Sequence, residues 1–197
     1  MEFSKQKIGG LLIYLGGIQW TLGLLLAEAW HPTYNSRIDY VSDLTIGPTA
    51  LIFNVTVFLL GLCIVLGAYL LTDSFRFRLL TLFLYLSGIG AMGVGLFSID
   101  TQPIHSIFTL LALLFGGLAA LVSFKVQKPP ISYVSVILGL VSLSATFLFM
   151  PYLGLPVGST ETFLGMAKGS MERWVIFPVI AWTIGFGGYL SNQKPES

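Results

Sequence analysis

Charged side chains are scarce in this sequence. Only 10% of its 197 residues are Asp, Glu, Lys or Arg, where a soluble domain carries about 25%. So few charges cannot cover a soluble fold, and a disordered chain would be far more polar. The net charge of +1 leaves no basic surface for nucleic acid. Cysteine is nearly absent: Cys63 stands alone, which excludes an internal disulfide and any Cys-based metal spacing. In its apolar run it reads as a small buried residue. Two histidines, His31 and His105, are few for a catalytic zinc site.

What is abundant is apolar. Hydrophobic residues make up 55% of the chain, with 22 glycines and 15 phenylalanines. Six runs reach, or nearly reach, the ~20 residues a bilayer-spanning helix needs. They predict spans over about 8–29, 49–71, 78–99, 103–124, 131–151 and 171–190. The fold class is therefore all-α, a polytopic bundle of six transmembrane helices, with 1–197 as one six-span membrane domain. Barrel strands are excluded because these runs are apolar on every face and twice a barrel strand's length.

Lys and Arg set the direction. With the N-terminus inside, Lys5, Lys7, Arg76, Arg78, Lys125, Lys128 and Lys194 are cytoplasmic, and Arg37, Lys168 and Arg173 are outside. Both termini are thus expected in the cytoplasm of a multi-pass cell-membrane protein. Ala27-Glu28-Ala29 resembles a signal-peptidase site, but the preceding apolar run is too long for a signal peptide, so cleavage is not expected.

Small residues recur four apart: Ser87, Ala91 and Gly95 on span three, Ala112, Gly116 and Ala120 on span four, Ala181 and Gly185 on span six. Lipid gives helices no hydrophobic reason to associate, so such faces pack them; those of spans three and four are expected to meet. They could also receive a protein partner or a second copy. Gly88-Ile89-Gly90-Ala91-Met92-Gly93 is a literal G-x-G-x-x-G, but it lacks the strand–turn–helix context of a nucleotide site. No nucleotide partner is expected; the bilayer is the partner implied. Asn54-Val55-Thr56 is a sequon inside a span, where Asn54 is expected to bond a neighbouring helix instead.

The polar chemistry gathers on the outer side, in Glu28, Arg37, Asp39, Asp43, Asp100, His105, Glu172 and Arg173. Ionisable groups at span ends are functional candidates when they face a bundle cavity. Each has a plainer role. Asp100 or Thr101 can cap span four with Pro103 in its first turn. Asp43 can cap or turn into span two. Glu172 sits where the helix dipole favours an anion, whereas Glu28 ends span one, where the dipole disfavours it, and needs a cation: Arg37 or Arg173. His105 can bond Asp100 or lipid headgroups. Residues Gly158 to Gly169 predict a short helix on the interface. Glu161 has no role beyond solvation.

The motif Arg37-x-Asp39-Tyr40-x-Ser42-Asp43-Leu44, the pair Asp100 and His105, and Gly169-x-x-Glu172-Arg173 together resemble the prokaryotic membrane proteins called domain of unknown function 998. The resemblance covers nearly the whole chain. Ile99 stands where that pattern has a proline. The family has no settled activity, so the resemblance implies the six-span fold and these polar residues, and no reaction.

Three functional readings follow, and whether the chain is an enzyme stays open. In the first, the outer cluster is a structural network, a ligand pocket or a partner-docking module, with Glu28–Arg37 and Glu172–Arg173 locking helix ends. In the second, Asp43, Asp100 and His105 bind a divalent metal such as zinc, with Glu172 as acid or base and Arg173 as anion holder, in a hydrolase of a lipid or amphiphile. No H-E-x-x-H motif supports it. In the third, a small solute is transported past Gln19 and Asn54, the only mid-span amides.

Overall fold

Each apolar run folds as one long helix. The computed structural model describes residues 4–72, 78–156 and 158–193. Its helices are α1 (Lys5–Trp30), α2 (Ala50–Leu71), α3 (Arg78–Leu96), α4 (Ile104–Val122), α5 (Ile131–Leu148) and α6 (Lys168–Ser191). All six are long and apolar enough to cross a membrane, which makes the chain a multi-pass membrane protein. α1 starts earlier than its apolar run because Ser4 Oγ accepts from Lys7 N at 3.3 Å, an N-cap. α6 likewise starts at Lys168, so Glu172 lies in its second turn. Of the charges used to sort the loops, Arg76 and Lys194 lie outside the described residues.

Consecutive helices pack side by side, and α6 returns to α1, closing a ring; α4 also touches α6 across it. Glycine allows the close approach. Gly9, Gly16 and Gly23, seven apart on α1, back onto Gly67, Cys63 and Thr56 of α2. Gly10 and Gly17, also seven apart, back onto Gly187 and Ile184 of α6. A seven-residue repeat stays on one seam when helices cross at a shallow left-handed angle.

The expected seam between spans three and four is partly corrected. Ser87 Oγ donates to the Ala112 carbonyl at 2.9 Å, and Gly90 also meets Ala112. Gly116 meets Ser87 of α3 as expected and also Val179 of α6, whereas Gly95 faces Asn54 and Phe58 of α2. Positions eight apart on a helix have turned by ~80°, so one stripe serves two neighbours. The G-x-G-x-x-G run is packing of this kind: Gly88 meets α2 and Gly93 meets Phe108 of α4. Ala181 and Gly185 are exposed, and a Cβ at Gly185 would meet nothing.

The two amides inside spans tie the backbone. Gln19 Nε2 donates to Gly16 O and, at 2.8 Å, to Thr56 O of α2. Asn54 Nδ2 donates to Thr45 O, in the turn before its own helix rather than on a neighbouring one.

One end of the ring carries the long connections and is called the polar end here. The segment between α1 and α2 holds a 3-10 turn at Val41–Thr45. The segment before α6 holds a hairpin, β1 (Thr162–Phe163) against β2 (Met166–Ala167), with Phe163 opposite Met166. This replaces the expected interfacial helix. Leu164 and Gly165 have φ of 53° and 76°, the paired positive values of a two-residue hairpin turn. Exposed Trp30 and Trp174 mark this end, and exposed Tyr69 and Tyr133 the opposite one, as aromatic belts do at the two interfaces.

Candidate functional site: a polar cap over an apolar slot

The cap forms where the α1–α2 segment crosses the start of α6. Gly169 lies against the carbonyls of Asp39, Ser36 and Arg37, leaving no room for a Cβ. Ser170 N donates to Arg37 O at 3.1 Å, satisfying a donor that a helix start leaves open. Arg173 Nη1 donates to Ser36 O at 2.6 Å and Gly169 O at 2.9 Å; Nη2 donates to Tyr34 OH at 2.9 Å and pairs with Glu28 at 2.5 Å. Of the two cations expected for Glu28, the partner is therefore Arg173. Arg37 is exposed and contributes its carbonyl. Asp39 closes the turn below it, accepting from Asn35 N at 2.8 Å. Burial pushes the Tyr34 phenol well above its ordinary value of 10.0, against the pull of Arg173. It stays protonated and donates to Tyr40 O at 3.0 Å.

Glu172 does not pair with Arg173 as expected. Adjacent helix positions point ~100° apart, so Arg173 turns to Glu28 while Glu172 turns inward. It is 4% exposed and accepts from Val41 N at 2.5 Å and Ser42 Oγ at 3.1 Å. The two halves of the sequence motif, 37–44 and 169–173, are thus one interlock. Beside them Lys168 is fully buried, with Nζ donating to Pro156 O at 2.8 Å and lying 4.2 Å from the centre of the Tyr40 ring. Tyr40 OH donates to Tyr152 O. Burial, then Glu172 and Asp43, push its phenol up to about 12. Tyr152 OH in turn accepts from Phe163 N at 3.1 Å, fixing the hairpin.

Asp43, Asp100 and His105 are not brought together. Among the described residues no three His, Cys, Asp or Glu side chains stand close enough to hold a metal. Each is occupied locally. Asp43 accepts from Tyr40 N at 2.9 Å, capping the 3-10 turn rather than α2; burial pushes its carboxyl up. Asp100 is exposed and accepts from Ser98 Oγ. His105 is 3% exposed, and its ring bonds Phe97 O rather than Asp100. Its Nδ1 donates to Phe97 O at 2.7 Å, and Nε2 is left without a partner. The expected cap of α4 is absent too: Pro103 takes the N-cap position without a side-chain bond, while Thr101 Oγ1 turns back to Ser98 O. A metal-bound water held by these three side chains therefore has no geometric support.

Beneath the cap, α1, α2, α3, α4 and α6 enclose a cavity of about 80 Å³. From Glu172 to Thr183, both in its wall, is about 16 Å of helix, so it is a narrow slot. Its walls are apolar, among them Phe53, Leu60, Val94 and Ile180. Polar groups touch it at few points. Glu172 and Ser42 close one end, and Trp20 and Thr109 line the side. Trp20, 3% exposed, has an indole N–H with no partner, and Thr109 Oγ1 has none either. Gln19 and Asn54 are not among its lining residues.

Sequence reasoning did not single out Trp20, Tyr34, Lys168 or Tyr152 as site residues. Lys168 carried the one available signal, a cation between Ala167 and Gly169. Comparison with curated proteins and with solved structures finds no match. The model of the family described as "Protein of unknown function (DUF998)" matches residues 14–188, a stretch that contains every residue of the cap and the slot. The chain belongs to that family.

Proposed function

We propose that the protein is a ligand-binding protein of the cell membrane, with both termini cytoplasmic and the polar cap at the outer face. The excess of Lys and Arg at the opposite end supports that direction. The ligand we propose is an amphiphile whose single apolar chain occupies the slot and whose hydroxyl or carbonyl meets the Trp20 N–H. The observation that carries this reading is the slot itself: narrow, about 80 Å³, and apolar, with an unpartnered indole donor in its wall. A buried donor left unmet costs about 1–3 kcal/mol, which a ligand acceptor would recover. Glu172, Ser42 and Val41 form the closed end, so the cap is the structural frame of the site rather than a reacting group.

A bromine-terminated fatty alcohol tests this in detergent. Trp20 emission is taken as the difference between the parent protein and Trp20→Phe. Saturable quenching of that component, reduced by Ala91→Leu in the slot wall, is the expected result. Quenching that never saturates, or that is the same in Trp20→Phe, would reject the reading.

A further inference from the structure

A second apolar recess lies outside the ring, facing the membrane between α5 and α6. It measures about 320 Å³ and is walled by Leu140, Ala145 and Leu148 of α5, Met171 and Trp174 of α6, and Met166 of β2. Both helices cross the membrane, so what meets this groove is hydrocarbon. The hairpin stands over it with Phe163 and Leu164 exposed, an apolar tip suited to the interface.

Arg37 meets the start of α6 through its backbone. Ser170 and Trp174 are four apart and share a face of α6. The carbonyl of Arg37 accepts from Ser170 N, which places the Arg37 backbone at the first turn of α6, one turn before Trp174. Arg37 is exposed, and its guanidinium makes no hydrogen bond or ion pair among the described residues. The cap's other two cations are taken, Arg173 by Glu28 and Lys168 by Pro156 O. Arg37 is thus the cation left for a group at the surface, and guanidinium matches phosphate with two parallel bonds.

We propose that the α5–α6 groove is a site for an anionic phospholipid, one acyl chain lying along Leu140–Leu148 beneath the hairpin and the phosphate held by Arg37. This site is separate from the slot and does not depend on its ligand. One basic side chain at a membrane surface favours an anionic over a zwitterionic lipid by about fivefold.

The test uses the full chain in phosphatidylcholine vesicles doped with brominated-chain phosphatidylglycerol or brominated-chain phosphatidylcholine. Trp174 emission is isolated as the difference from Trp174→Phe. The phosphatidylglycerol probe should quench it at about fivefold lower mole fraction. Arg37→Gln should abolish that difference and Arg37→Lys should keep most of it, since the backbone bond to Ser170 is untouched in both. Equal quenching by the two probes in the parent overturns the site, and a preference that survives Arg37→Gln overturns the role of Arg37.

Discussion

Arg173 serves four oxygens with one guanidinium: Glu28 Oε1, Tyr34 OH, Ser36 O and Gly169 O. Its side chain is 14% exposed and that of Glu28 21%, so removing it strands a largely buried anion. Arg173→Met should cost about 3–5 kcal/mol in reversible denaturant unfolding. Adding Glu28→Gln to it should recover part of that loss; single costs that simply add would mean the pair is not coupled. Asp43 gives a pH signature. Burial makes the folded chain hold this proton above its ordinary 3.8, so between the two values the folded state binds more protons and stability falls as pH rises. Asparagine keeps an acceptor for Tyr40 N and does not titrate. The melting temperature of Asp43→Asn relative to the parent should therefore climb as pH rises from below 3.8 and level off once Asp43 has ionised. A difference flat across that range removes the claim. At this scale the sequence showed that Glu28 needed a cation, because an anion at a helix C-terminus is unfavourable. It did not choose between Arg37 and Arg173, since both stand in segments whose path depends on tertiary contacts.

Elements meet through positions where a side chain would intrude. Gly169 is closed in by backbone, with Ser36 O 2.8 Å and Arg37 O 3.0 Å from where a Cβ would lie, and Asp39 O closer still. Backbone carbonyls do not move aside as a flexible side chain can. Gly169→Ala should cost about 1–3 kcal/mol and free the α1–α2 segment, speeding tryptic cleavage after Arg37 by about tenfold. Gly185→Ala, in open space, should leave that rate unchanged, and equal rates in both variants would show that the segment is not held there. The six helices were legible as apolar runs, and the four-residue spacing of small residues on spans three and four named a helix face. Which neighbour each position meets is not in the spacing, as Gly95 against α2 shows. The hairpin was hidden for another reason. Its turn is Leu164-Gly165 rather than the Asn-Gly that signals such a turn, and its strands are two residues long, too short for any period to register.

At the scale of the molecule, the ring explains why the slot could not be read from the chain. Its wall draws on five helices, each contributing residues that alone look like ordinary apolar core. Glu172 stood out as an ionisable group near a span end, but its inward turn depends on how α6 sits against the 3-10 turn. The closure of the ring also has a consequence for how the protein is made. Glu28 and Arg173 are 145 positions apart, on the first and last helices. A growing chain presents Glu28 to the membrane long before its partner exists, and the glycine seam of α1 facing α6 waits as long. Every span but the last can be inserted while the carboxylate is still unanswered and one flank of α1 is still open to lipid or to a membrane chaperone. Arrival of α6 closes both at once, so a chain cut short before Arg173 carries an unmet charge in its first helix, a mark by which quality control can recognise it.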